Sequence, residues 1–407
     1  MSYSNENELL LLTGFSPLAL LAYKSFPLRN VYFDFVFWIV PQYLIIVYPE
    51  SKRYLIDFFS SCIDLKLTKP HLKHYLKEYD IPTWLRSNVS LMVAISIFAV
   101  DFSFYPDRFG KSNYFGYKFM DIGVGSYVYN AGIMSVKFSH SKNIKSILIL
   151  GMLGFIRLMC INVLNLEVNI KEYGRYFNFY FILAICNALY GCIKSRFDFV
   201  VGYNMILGYD FVLKKYNLSN FILSDGPRKG FLEENKEGIF NIVGYLSIFL
   251  MGNLCGRIYF SRYCLRKKLF NILFVTLVFY LSYKTHLKYE EPSRRLGNAT
   301  YVFWILFLHT FHILLYFTLT LFTGSLVTLT QFYTSKNMMV NFLLSNILVL
   351  VFNKTLNLKN MHEVYGNILI VFYLIVSFVF PVLLGQFLFY LMESKRVNII
   401  ESEENNK

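Results

Sequence analysis

The stretch "ILIVFYLIVSFVFPVLLGQFLFYLM", Ile368 to Met392, carries no formal charge in 25 residues. As a helix it is long enough to cross the hydrocarbon core of a bilayer. Similar windows recur along the chain, near 31–48, 87–105, 121–139, 144–162, 177–193, 198–214, 238–260, 269–285, 299–323 and 337–352. Weaker windows lie near 8–23 and 54–65. The pattern predicts an all-α, polytopic helical membrane protein of about eleven to thirteen transmembrane helices. A β-barrel would show short alternating segments instead.

Composition agrees. The 407 residues are 55% hydrophobic and 16% charged, with a mean hydropathy of +0.42. The net charge of +14 comes from short basic clusters between apolar runs, which is how membrane helices are oriented. No basic domain exists to bind nucleic acid. The six cysteines mostly lie in or beside apolar runs without CxxC pairing, and read as small hydrophobes. An acidic start, "MSYSNENELLLLTGFS", does not resemble a cleavable signal. Short loops, with no repeat and no soluble segment, predict one membrane domain over 1–407.

The densest basic loop, "GRIYFSRYCLRKK", contains Arg257, Arg262, Arg266, Lys267 and Lys268 and no acid. The positive-inside rule puts it in the cytoplasm. Counting outward places the loops at 140–143 and 194–197 and the C-terminal tail on the same side. The loops near 106–120, 163–176, 215–237 and 286–298 then share the opposite side, and each mixes acids with bases. Ionisable groups at a membrane boundary face water, one another or a polar ligand. Four such loops on one side point to a shared polar cavity, against ordinary interfacial anchoring of each loop.

Single motifs within these loops stay open. Gly123, Gly125 and Ser126 suit close helix packing as well as ligand contact. Glu237 opens an apolar run, where the helix dipole favours an acid. Arg294 and Arg295 suit phosphate, whose oxygens guanidinium binds bidentately. His309 and His312 share a helix face, as buried polar packing or as an acyltransferase base; no further ligands make them a zinc site. Sequons occur at Asn88, Asn217, Asn298 and Asn353. Asn217, Asn298 and Asn353 fall on the side opposite the basic loop, and Asn298 is too near the membrane for ready glycosylation.

Taken together, four segments resemble the inositol acyltransferase family of glycosylphosphatidylinositol (GPI) anchor synthesis, which spans fungi and animals. That family carries Asp-Phe-x-x-Phe-Pro-x-Arg-Phe-x-Lys, then Met-Asp-x-Gly-Val-Gly-Ser. Here the stretch runs from Asp101 through Pro106, Arg108 and Phe109 to Lys111, then from Met120 and Asp121 to Gly123, Val124, Gly125 and Ser126. Glu172-Tyr173-Gly174 with Asn178-Phe179, Asn235 to Ile239, Gly244-Tyr245 and Ser293-Arg294-Arg295 complete the pattern over roughly 85–310. Tyr105 and Asp107 depart from the usual phenylalanine and arginine, and His309 stands where a small or amide residue is expected. The two chain ends match only in hydropathy.

The resemblance implies transfer of a fatty acyl group from acyl-CoA to the inositol ring of glucosaminyl-phosphatidylinositol, in the endoplasmic reticulum membrane. Acyl-CoA would be a co-substrate; no bound cofactor, metal, nucleic acid or obligate protein partner is implied. Asp101 is the expected base and Lys111 the expected oxyanion or CoA-phosphate partner, a structural ion pair between them being the other reading. Substrate contacts are expected from Arg108, Asp121, Ser126 and Asn178, and from Lys236, Glu237, Arg294 and Arg295. A multi-pass lipid or small-molecule transporter is the competing reading, although the repeat symmetry and paired broken helices of transporters are not evident. For the topology, an epitope in the 257–268 loop should be digested by protease added to intact microsomes. Protection of that epitope would reverse the orientation.

Overall fold

The computed structural model describes residues 6–26, 30–63, 80–164, 169–193, 197–324 and 326–387. Residues 64–65 and 388–392 of the expected spans, the loop at 194–196 and the C-terminal tail lie outside them. Among the described residues the chain is helical and contains no strand. In chain order the principal helices are α1 (Glu6–Gly14), α2 (Ser16–Lys24), α3 (Val31–Val47), α4 (Pro49–Ser61) and α5 (Asp80–Ala99). Then come α6 (Ile122–Ser135), α7 (His140–Val163), α8 (Phe179–Ile193), α9 (Asp198–Lys215) and α10 (Lys236–Phe260). The last are α11 (Leu265–Leu287), α12 (Ala299–Thr323), α13 (Leu329–Lys336), α14 (Met338–Thr355) and α15 (Glu363–Phe387).

The expected windows fall on these helices within the described residues, the weaker window 8–23 being divided between α1 and α2 at Phe15. Six of them, α5, α7, α10, α12, α14 and α15, are long and apolar enough to cross a membrane. The α3–α4 pair qualifies as one broken span, bent by 117° where Pro49 cannot continue the helix. The protein is thus an all-α polytopic membrane protein. One boundary differs from the sequence expectation: α5 ends at Ala99, well before Pro106. The amides of Asp101 and Phe102 turn back onto the carbonyls of Phe98 and Ala99, the tightened last turn common at helix ends.

The described chain divides into two compact units, Met1–Leu10 with Arg108–Thr318, and Leu11–Asp107 with Leu319–Lys407. In the first, α10 is the central helix, and α6 lies against it backbone to backbone. A Cβ on Gly132 would stand 2.2 Å from the Phe249 carbonyl oxygen. On Gly252 or Gly256 it would stand 2.6 or 2.5 Å from the carbonyl oxygens of Tyr129 or Ile133. Small residues are what allow so close an approach. Asn253 adds polar ties, its amide donating to Ser135 Oγ at 2.6 Å and Tyr190 Oη at 2.9 Å.

In the second unit Asp34 accepts from Tyr23 Oη and from the Thr330 amide, each at 2.8 Å. Tyr373 Oη reaches the Ala94 carbonyl at 2.9 Å. Helix α13 is turned inside out: Thr330, Gln331, Thr334 and Ser335 are buried, while Leu329 and Phe332 are exposed. The glycine seam gives a direct test. Gly132→Val should abolish the monodisperse folded species in detergent gel filtration, whereas Gly151→Ala, with nothing within 4 Å of the added carbon, should elute as the parent does.

Candidate active site

The turn between α11 and α12 is built by two asparagines. Asn298 Oδ1 accepts from the amides of Ser293 (3.0 Å) and Tyr301 (3.1 Å), and its Nδ2 donates to the Glu291 carbonyl at 2.9 Å. From α10, Asn241 Nδ2 donates to the carbonyls of Arg294 (3.1 Å) and Arg295 (2.8 Å). Gly297 adopts φ +58, and a side chain there would meet Asn241 Oδ1 at 2.4 Å; only glycine fits. The turn thereby sends two adjacent arginines into the protein, Arg294 5% and Arg295 2% exposed.

Their surroundings differ. Arg294 Nε donates to Asp121 Oδ1 at 2.8 Å, and Asp121 Oδ2 also accepts from the Ser112 amide at 3.1 Å. Tyr301 Oη holds the Asp121 carbonyl at 2.9 Å. Burial raises the Asp121 carboxyl above the ordinary carboxylate range, with Arg294 and Ser112 opposing that rise. Burial works against the Arg294 cation too, but the carboxylates of Asp121 and Glu172 outweigh it and raise Arg294 above the usual arginine value. The outer nitrogens of Arg294, Nη1 and Nη2, donate to no acceptor among the described residues.

Arg295 is engaged instead. Its Nη1 donates to the Asn113 carbonyl and its Nη2 to Glu237 Oε1, each at 3.0 Å. Glu237 also takes a bidentate pair from Arg228, at 2.7 and 2.8 Å. The Tyr114 ring covers the Arg295 guanidinium at 5.3 Å. Tyr114 Oη and Lys171 Nζ converge on Asp225 Oδ2 at 2.7 and 2.8 Å, and these bonds hold that exposed carboxyl down at about 2. Lys236 is saturated: its ammonium donates to the Phe221 carbonyl, the Ser224 carbonyl and Ser224 Oγ at 2.7, 2.8 and 2.6 Å.

Lys111 Nζ is paired with Glu172. Burial opposes ionisation of Glu172, but Lys111, Arg294 and Arg157 together bring its carboxyl below the ordinary value. The segment carrying Glu172 is fixed by Gly174 at φ +99, where a side chain would collide with the Asn235 backbone at 2.5 Å. Asn235 Oδ1 in turn accepts from the amides of Tyr176 and Phe177.

The remaining expected residues have internal partners. Asn178 caps α8, accepting from the Tyr180 and Phe181 amides and donating to the Gly154 carbonyl. Ser126 Oγ donates to the Ile122 carbonyl at 2.8 Å and meets His309 Nε2 at 2.7 Å, under the stacked ring of Tyr129. Arg108 forms a two-nitrogen pair with Glu8. Asp101 belongs to the second unit, where its carboxylate accepts from Asn353 Nδ2 at 2.8 Å. The sequence reading singled out neither Asp225 nor Arg228, which stand in no recognisable motif, nor Asn298 as the builder of the turn. The first unit thus gathers Asp121 with Arg294, Glu237 with Arg295 and Glu172 with Lys111, and among the described residues offers in Arg294 a buried guanidinium with a free bidentate edge.

The GWT1 family model matches residues 7–384. GPI-anchored wall transfer protein 1 of Candida albicans is 28% identical over 383 residues, covering 78% of this chain and 78% of that protein. Phosphatidylinositol-glycan biosynthesis class W protein of Dictyostelium discoideum is 28% identical over 384 residues, covering 80% and 75%. GPI-anchored wall transfer protein 1 of Yarrowia lipolytica is 31% identical over 271 residues, covering 58% and 55%. A match running from α1 into α15, through every segment that builds the arginine network, establishes that the chain belongs to the GWT1 family.

Proposed function

We propose that the protein transfers a fatty acyl group from acyl-CoA to an inositol hydroxyl of glucosaminyl-phosphatidylinositol, in the endoplasmic reticulum membrane, as a step of GPI-anchor synthesis. One observation carries the reading: Arg294 is buried, held by Asp121 through Nε alone, and keeps Nη1 and Nη2 free. A guanidinium presented in that way binds two oxygens of a phosphodiester at once, and the lipid acceptor has one phosphodiester beside its inositol ring. The names of relatives, GPI-anchored wall transfer protein and phosphatidylinositol-glycan biosynthesis class W protein, fit that acceptor.

The transfer forms an ester between the acyl carbonyl carbon and the inositol oxygen and breaks the thioester, releasing CoA as its thiol. The hydroxyl proton leaves through a base, and the carbonyl oxygen carries negative charge as the bond forms. Lys111, steered by Glu172, is the cation we assign to that oxygen or to a CoA phosphate. Asp101, at the end of an apolar run, is the base we assign, and mutation decides its part.

Mass spectrometry of the purified protein with acyl-CoA and the glycolipid should show a lipid heavier by one acyl group. A transporter would move the lipid unchanged. Arg294→Lys keeps a cation beside Asp121 and loses the fork; KM for the glycolipid should rise about tenfold, the scale of a charged hydrogen bond, with KM for acyl-CoA unchanged. Equal changes in both would remove the phosphate role. Asp101→Asn should bind glycolipid normally and lose at least about a hundredfold in turnover; near-normal turnover in the folded variant would exclude it as the base.

A further inference from the structure

Helix α7 carries a charge whose part in the site just described is confined to the Glu172 carboxyl, which it helps to lower. From Ser146 to Val163 the helix holds one ionisable side chain capable of positive charge, Arg157, within a segment long and apolar enough to span a membrane. Its neighbours face outward: Leu148, Met152, Phe155, Ile156 and Met159 are 54–66% exposed. Arg157 itself makes no hydrogen bond or ion pair among the described residues. A guanidinium in an apolar helix is costly unless it meets water or an anion, and Arg157 lies six residues before the helix end, about 9 Å at 1.5 Å per residue.

Its position relative to the site is set by packing. One turn earlier, Gly154 lies so close to α8 that an added Cβ would stand 2.6 Å from the Phe181 ring, and its carbonyl accepts from Asn178 at 3.1 Å. Phe155 meets Phe181 edge-on at 5.2 Å. Advancing one turn along α7 therefore brings Arg157 level with the segment that leads into α8, the segment of Glu172 and Tyr173. The Arg157 charge is felt at both of those residues, as is that of Arg294. One carboxylate, Glu172, thus lies within electrostatic reach of the half-buried Arg157 and the buried Arg294.

We propose that Arg157 is a capture site for the phosphodiester of the diacyl glycolipid substrate as it arrives from the bilayer, before that phosphate passes to Arg294. The acyl chains lie along the exposed apolar face of α7, and the arginine side chain extends its charge to the headgroup level while its methylenes stay in the apolar layer. The inference rests on the acyltransferase reading for the identity of the lipid, and on the helix geometry for the site.

Initial rates with glucosaminyl-phosphatidylinositol in phosphatidylcholine vesicles test it. Arg157→Gln should raise KM for the bilayer-borne lipid about tenfold, with kcat and the KM for acyl-CoA unchanged, and Arg157→Lys should recover most of the loss. A water-soluble acceptor lacking the diacylglycerol should show no dependence on Arg157. Unchanged KM for the bilayer lipid, a fall in kcat alone, or the same loss with the soluble acceptor would each overturn the proposal. Binding is read separately, by cross-linking of a phosphatidylinositol bearing a diazirine in one acyl chain, which should label the parent and label Arg157→Gln several-fold less. Displacement of that probe by an equal concentration of glycerophosphoinositol would show a site for free phosphate esters and sink the lipid assignment. Arg157-dependent labelling without acylated product would overturn the acyltransferase reading and leave the capture site standing; product formation indifferent to Arg157 would remove the capture site alone.

Discussion

The buried pair of Asp121 and Arg294 is the constraint on which the first unit is organised. Removing a carboxylate and a guanidinium from water costs several kcal/mol per ion, and only close geometry with further hydrogen bonds offsets it. Those bonds come from distant parts of the chain. Ser112 supplies an amide to Asp121, Tyr301 anchors the Asp121 carbonyl, and Asn241 holds the carbonyls of the arginine turn. Three segments far apart in sequence are thereby fixed in one arrangement. The pair is satisfied through one edge of the guanidinium, which leaves the other edge for a ligand without leaving Asp121 unpaired.

The second network, centred on Glu237, shows the opposite use of the same residue types. Two arginines share one carboxylate that is fully buried, and Tyr114 and Asp225 close over Arg295. Adjacent arginines of identical chemistry thus have different tasks. Arg295 and Lys236 tie loops to the mouth of α10, and Arg294 keeps donors in reserve.

Helix existence was legible because charge-free windows in an apolar chain admit few other structures. Helix ends were less so. The start of α5, "DIPTWLR", is too polar for a hydropathy window, yet Asp80, Thr83, Ser87 and Asn88 are buried by packing within their own unit. Helix α13 escaped notice for the same reason: its polar face is inside, so its hydropathy gives no sign of burial. At the site, motifs identified which residues gather but not what each one touches. Asn113 and Arg295 are separated by 182 positions, and Ser126 and His309 by 183; no local pattern announces such partners. Asp225 and Arg228 sit in a loop whose only signals are turn formers, so their ionic roles became visible only with the fold.

Asn298 lies within an Asn-Ala-Thr acceptor sequence for N-linked carbohydrate. Its side chain is fully buried, and both its oxygen and its nitrogen are spent on the turn that presents Arg294. A sugar on that nitrogen could not coexist with the bond to Glu291 or with the packing of α12 against its neighbours. Only a polypeptide that escapes modification there can complete the arginine turn. Closure of the turn thus withdraws the asparagine from any enzyme that reads the same three amino acids in extended form.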